Sequence, residues 1–348
     1  MTVQARPRVL LVSSPDDAAP PWPLCSLREQ LRLEGYEVAV TGEIEVDRAR
    51  EAGVDVIHAF GWKAGRAVAD RHPGVPWVLT APWGGSEAVD ADVARGADLV
   101  LCASSEDVGL ANSLGVATER CLVMPVGVDV EVFTRLGPRA DRTTSHRIVV
   151  RALGPGDGVI DVLAALPAIP SAELVILVDA AAGADVVRRL RALLRTADDF
   201  GVRDRVSLVP LPDPIGRSWL LRSADVVVSM AGATGDHQLL AEAMACGKAA
   251  VVTPTGSQRD LVVNDVTGLL VPAGRVRALA LSLRSLLRDP FRLERMGRAG
   301  ADRALNRCAW SRVAREFGSA YDRVSGRSAL LGVGRAGIFA SDAVRMNA

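Results

Sequence analysis

Apolar residues in this chain gather in short runs of strand length. Between the runs they recur every three or four positions. Arg8-Val9-Leu10-Leu11-Val12, Glu37 to Val40, Val54-Asp55-Val56-Ile57-His58, Pro76 to Thr80 and Asp98-Leu99-Val100-Leu101-Cys102 form the first series. Arg147 to Leu153, Ala172 to Leu177, Val206 to Val209, Asp225 to Met230, Ala249 to Thr253 and Leu269-Leu270-Val271 form the second. Near-continuous apolar runs of this length predict strands buried on both faces, as in a parallel sheet. Helical spacing predicts helices at Leu24 to Glu34, at Ala184 to Thr196, and over the stretch holding Leu239, Leu240, Ala243 and Met244, which Gly247 stops. Ser104-Ser105-Glu106 has the form of an N-cap opening a helix to Leu114. Trp310, Val313, Phe317 and Tyr321 fall on one stripe of a closing helix and predict core packing. After Ala249 to Thr253, Gly256 predicts a turn, Asp260 to Val263 a short helical segment, and Thr267-Gly268 a second turn.

At 348 residues the chain suits two domains of about 150 each, and 49% apolar residues can fill two cores. Leu136 to His146 is polar and contains Gly137 and Pro138, so the expected division is 1–140 and 147–309, with 310–324 as closing helix and 325–348 as a tail. Lys+Arg and Asp+Glu both number 41, so no global field draws nucleic acid or an acidic membrane. Lys63 and Lys248 are the only lysines. Cys25, Cys102, Cys121, Cys246 and Cys308 show no paired spacing and are expected as buried reduced thiols in a cytoplasmic protein. Four His give no metal cluster, and no metal or other cofactor is expected. No run reaches the ~18 apolar residues of a membrane helix, and the N-terminus goes straight into a strand without an apolar signal region.

The stretch Leu239 to Pro272, LLAEAMACGKAAVVTPTGSQRDLVVNDVTGLLVP, resembles the C-terminal half of retaining nucleotide-sugar glycosyltransferases of the GT-B fold, family 4. The match continues through Leu286 to Pro290, Arg295-Met296-Gly297 and Trp310 to Ala314. It is similar but weaker at Asp55 to Ala59 and Pro125 to Asp129. The resemblance covers residues 8–324. It implies an α/β chain of two Rossmann-like domains facing across a cleft, the N-terminal one on the acceptor side and the C-terminal one on the nucleotide-sugar side, with the closing helix crossing back to the first. It also implies a nucleotide-sugar substrate. By its position in the motif, Glu242 would accept hydrogen bonds from the nucleotide ribose; the bland alternative is a capping or surface acid. Thr234, Gly235, His237 and Gln238 at the start of that helix complete the implied donor-binding set, because a helix N-terminus offers N–H groups and positive dipole to phosphate. Asp236 would partly cancel that charge.

Several positions depart from the family pattern. The loop Ser13 to Pro23 is rich in proline and lacks the family's glycine pair; proline also removes N–H donors. Gly84-Gly85 is the only glycine pair of the first half and fits a tight turn. His58 matches one family His, but Phe60 stands where a second would face substrate. A lone His58 at a strand end reads as a satisfied core histidine, with catalysis as the other reading. Arg147 to Leu153 leads into Gly154-Pro155-Gly156-Asp157-Gly158, where the family's Arg and Lys pin the donor diphosphate. Aligned on Pro155 and Gly158, those positions are Ala152 and Asp157, and a carboxylate there would repel the diphosphate. Arg151 is adjacent, but alternation along a strand turns it to the opposite face, so it joins the donor set only if the strand bulges. The family's first Glu falls on Thr234, which can cap a helix but cannot act as a carboxylate. The arginines of Ala184 to Thr196 read as a solvated face.

Retaining transfer needs the developing charge on the leaving diphosphate stabilised. Two charge-assisted hydrogen bonds lost at ~1.5–3 kcal/mol each cost roughly 3–6 kcal/mol, on the order of 10²–10⁴ in rate or affinity. Three readings therefore stay open. The chain is an active glycosyltransferase with a rearranged site. Or it is an inactive homologue that binds a partner protein, such as an active glycosyltransferase, or a nucleotide without turnover. Or it is a different enzyme on the same scaffold, for which two lysines offer no visible pyridoxal site.

Overall fold

The computed structural model describes residues 6–15, 24–42, 46–47, 49–71, 74–82, 89–179, 184–230 and 236–326. Several expected features lie outside these residues: most of the proline-rich loop, Gly84-Gly85, Thr234, Gly235, and the tail from residue 327 onward. The chain divides into two compact units, one made of residues 1–127 and 310–348, the other of Val128–Ala309.

The first unit runs β1 (Arg8–Ser13), α1 (Leu24–Leu33), β2 (Glu37–Thr41), β3 (Val56–Phe60), α2 (Trp62–Arg71), β4 (Trp77–Thr80), α3 (Ala91–Gly96), β5 (Leu99–Cys102), α4 (Ser105–Ser113) and β6 (Cys121–Val123). Its sheet has the order β2-β1-β3-β4-β5-β6, and all five pairings are parallel. Burial on both faces explains the runs of Val, Leu and Ile. Leu10, Val12, Ile57 and Leu79 face one core cluster with Trp62, Ala64 and Val68 of α2. Val9, Leu11, Val56 and Phe60 face another. Ser104 caps α4 as its sequence predicts, its hydroxyl accepting from the Asp107 N–H at 3.1 Å. Gly65 lets α2 lie against the sheet and α3, since a Cβ there would come within 2.8 Å of Leu79 in β4 and 2.7 Å of Val93 in α3.

The second unit runs β7 (His146–Ala152), α5 (Val159–Ala165), β8 (Ala172–Val178), α6 (Ala184–Asp199), β9 (Val206–Pro210), α7 (Pro214–Ser223), β10 (Val226–Ser229), α8 (His237–Ala245), β11 (Ala249–Val252), α9 (Gly256–Leu261), β12 (Gly268–Leu270), α10 (Val276–Leu287) and α11 (Pro290–Cys308). Its sheet, β12-β11-β10-β7-β8-β9, is also parallel throughout. Chain order reverses beside β7: β8 and β9 build outward on one side, β10 to β12 on the other. In an open α/β sheet this switch point, outside the carboxyl ends of the strands, is where ligands bind.

The last helix, α12 (Trp310–Ser325), joins the first unit. Trp310, Val313, Phe317 and Tyr321 are all buried among Val9, Leu27, Leu31 and Phe60, as their stripe predicts.

Some expectations are corrected. The division near residue 140 moves to 127/128. Segment 128–140 belongs to the second unit because buried Arg222 holds it there, donating to the carbonyls of Pro138 at 2.7 Å, Val132 at 3.2 Å and Thr134 at 3.3 Å. The short helix expected at Asp260 to Val263 begins earlier, at Gly256, whose φ of +51° resembles a turn in sequence terms. Cys25 is exposed, whereas Cys102, Cys121, Cys246 and Cys308 are buried. No helix of the described residues is long and apolar enough to cross a membrane.

Candidate nucleotide-binding site

A small pocket opens at the switch point of the second unit. Arg151, Leu153 and Asp157 line it from β7 and the loop that follows, Val227 to Ser229 from β10, and Asp236, Leu239 and Leu240 from the start of α8. Ser229 ends β10, so the pocket lies at the carboxyl ends of the two strands that flank the reversal, where topology alone puts a ligand.

Arg151 is the basic group here, which corrects its expected direction. The strand has no bulge: Arg151 pairs with Leu177 and Ala152 with Val178 in unbroken register. Alternation holds, but it is Ala152 that turns away, packing against the cluster of Ile148, Val150, Val159 and Val162. Arg151 faces α8. Its Nη1 donates to Asp236 Oδ2 at 2.9 Å and its Nη2 to Asp179 Oδ1 at 2.7 Å. Burial would lower this guanidinium, but the charges of Asp236 and Asp179 outweigh burial and hold it above its ordinary value.

Asp157 is also unlike its sequence reading. It is 6% exposed, and its carboxylate serves its own loop. Oδ2 accepts from the N–H of Leu153 at 2.8 Å and of Gly154 at 3.3 Å, and Oδ1 from that of Val159 at 3.1 Å. Arg189 of α6 completes the set, Nη2 to Oδ2 at 2.6 Å. The Arg-rich face of α6 is therefore only partly solvated. Arg188, Arg191 and Arg195 are exposed, while Arg189 is drawn inward.

Asp236 caps α8. Its Oδ1 accepts from Leu239 N at 3.0 Å while its other oxygen holds Arg151. His237 and Gln238 do not line the pocket. The His237 ring, lowered by burial against a weaker opposing effect of Asp236, contacts Ser257 of α9. Gln238 Nε2 donates to Glu242 Oε1 at 3.0 Å.

Glu242 is 1% exposed, so the surface-acid reading falls. Arg217 of α7 grips both its oxygens, and the guanidinium sits 5.3 Å from the ring centre of Phe133. Burial raises the carboxyl above its ordinary range, and Arg217 pulls the other way. Three hydrogen bonds leave the carboxylate a lone pair to spare, but Glu242, like His237 and Gln238, does not line the pocket.

In the first unit, His58 is the core histidine its position suggested. It is fully buried; Nδ1 lies 2.7 Å from Tyr321 Oη and Nε2 lies 2.9 Å from Thr80 Oγ1. Burial pushes it down to about 3. Phe60 is 1% exposed and packs on this ring at 3.9 Å between centres.

Arg189 and Arg217 were missed by motif comparison because neither lies in a motif. For Arg189 the available signal was helical phase: it sits one position before Leu190 and four before Leu193, at the margin of the buried stripe of α6. For Arg217 it was the pair Asp213-Pro214, a cap and first-turn proline that open α7.

A parallel sheet, an arginine and a helix start meeting at a switch point define a Rossmann-type ligand site. Comparison with known proteins narrows the class. Residues 148–303 match the family described as glycosyl transferases group 1. A D-inositol 3-phosphate glycosyltransferase from Xylanimonas cellulosilytica is 31% identical over 335 residues, covering 85% of this chain and 78% of that one. Among solved structures, sucrose-phosphate synthase from Thermosynechococcus elongatus superposes with a TM-score of 0.77 at 20% identity, over 92% of this chain and all of that one. Anabaena HepE, solved with UDP-glucose, gives 0.74 at 17% identity over 91% of this chain and all of that one. The fold is GT-B, and the chain belongs to the group 1 glycosyltransferases.

Proposed function

We infer that this chain transfers a sugar, with retention, from a UDP- or GDP-sugar, as a family 4 enzyme. The observation that carries this reading is Arg151 beside the start of α8 at the β7–β10 switch point. A guanidinium and a helix N-terminus are the two groups that best receive a diphosphate without a metal. The family motif assigns the ribose to Glu242, whose carboxylate Arg217 and Gln238 fix. The family motif around Glu242 supports the assignment, as does the solved complex of HepE with UDP-glucose. The neutral His58, with both ring nitrogens engaged, takes no part in proton transfer. The resemblance supports retention.

The acceptor side is tested by offering D-inositol 3-phosphate, the compound in the name of the Xylanimonas relative, beside simple sugars and polyols. Calorimetry with a panel of UDP- and GDP-sugars tests the donor. The expected result is binding of at least one, release of its nucleoside diphosphate on adding an acceptor, and an NMR spectrum showing the donor's anomeric configuration kept in the product. Binding without turnover favours the inactive-homologue reading, and no binding across the panel removes the donor assignment.

A further inference from the structure

The loop after β7 carries its own anion. Three N–H groups, from Leu153, Gly154 and Val159, converge on the Asp157 carboxylate, the last of them at the first residue of α5. Such a concave set of amides at a helix start is what binds phosphate in other loops. Here a side chain fills it. The filling has a second consequence: Oδ2, the oxygen shared by Leu153 and Gly154, also binds Arg189 Nη2. The cation of the pair comes from α6, far along the chain, and its side chain is 25% exposed against 5% for Asp157. Asp157 itself lines the pocket that Arg151 lines. The guanidinium is thus held one carboxylate away from that pocket. It has five N–H donors, and Asp157 is its one partner among the described residues.

We propose that Arg189, positioned by Asp157, binds the donor's diphosphate together with Arg151. This rests on the nucleotide-sugar reading above and adds a residue that lies outside the family motif. The charge lost at position 157 is supplied through space, and the carboxylate that stands there orients it. Arg189 is a binding residue and Asp157 a positioning residue.

A purely structural Arg189 would only neutralise Asp157 and order the loop, so the test separates contact from neutralisation. Calorimetry measures UDP and GDP, with uridine and guanosine as controls lacking phosphate, on wild type, Arg189→Gln, Arg189→Lys and the double variant Asp157→Asn/Arg189→Gln. Loss of one charge-assisted hydrogen bond weakens the nucleoside diphosphate about tenfold to a hundredfold. That loss is expected in Arg189→Gln, with the nucleoside unchanged and with Arg189→Lys in between. The double variant removes the unpaired carboxylate as well, and its diphosphate affinity is expected to stay low. Recovery of wild-type affinity in the double variant overturns the proposal, because Arg189 would then act only on Asp157. Equal weakening of nucleoside and nucleoside diphosphate overturns it too. If wild type binds neither UDP nor GDP, the donor reading falls and takes this one with it; if wild type binds and the double variant matches it, only this one falls.

Discussion

Arg217 holds Glu242 by both carboxylate oxygens, Nε to Oε2 at 2.6 Å and Nη2 to Oε1 at 2.9 Å. The two side chains are 15% and 2% exposed, so the pair is shut off from water, and neither charge is tolerable alone. Removing one partner of a buried pair costs about 3–5 kcal/mol.

Arg217→Gln therefore destabilises the protein by an amount that depends on pH. Burial already raises the Glu242 carboxyl, and Arg217 is the main group pulling it back. Without it the folded-state value rises further above the unfolded value. A raised carboxyl contributes its stability below the unfolded pKa and loses it as pH rises through the folded one. The melting-temperature gap between Arg217→Gln and wild type should thus widen from pH 5 to pH 8. A gap independent of pH would show that Glu242 is not ionised in this pair.

His58 gives the opposite sign. Its folded pKa is about 3, against about 6.5 in an unfolded chain. The neutral ring stabilises the fold above pH 6.5, and that contribution is lost as pH falls toward 3. Between pH 7 and pH 5 it amounts to about 2 kcal/mol. His58→Gln keeps polar atoms near Tyr321 and Thr80 but does not titrate. Urea denaturation should show wild type losing about 2 kcal/mol more than His58→Gln over this range. Parallel curves would mean that the buried ring is already protonated at pH 5.

The strands were legible because a parallel sheet buries both faces, which leaves runs such as Leu174 to Leu177 without polar interruption. The motif around Glu242 located the switch point without any geometry. The side of a strand was not legible at Arg151, because alternation tells which neighbours share a face but not which face meets α8. Nor was the role of Asp157: three backbone N–H groups turned toward one carboxylate leave no trace in residue type. Arg189 and Arg217 pair with residues 32 and 25 positions away, separations that no local pattern encodes.

Gly158 tests the loop itself. Its φ is +72°, and a Cβ would lie 2.4 Å from Met230 Cβ and 2.8 Å from the Met230 carbonyl oxygen. The backbone oxygen cannot step aside. Gly158→Ala combines left-handed strain with this clash, at about 1–3 kcal/mol for the strain alone. The start of α5 must shift, and with it the Val159 N–H that Asp157 accepts. The expected outcome is a lowered melting temperature together with weaker UDP or GDP binding. An unchanged affinity would uncouple the loop from the ligand.

Arg151 is shared between Asp236, 7% exposed, and Asp179, 50% exposed. Asp236 is committed to the α8 N-cap, so an arriving diphosphate competes with Asp179 for the Arg151 Nη2. An exposed pair of this kind contributes roughly 0.2–1 kcal/mol, so breaking it costs the fold little. Asp179→Asn removes the competitor and one negative charge near the phosphates. Nucleoside diphosphate affinity should rise about twofold to fivefold at low salt. The gain should shrink at 1 M salt, where the Debye length is about 3 Å. A fall in affinity instead would mean that Asp179 aims Arg151 at the ligand rather than holding it back.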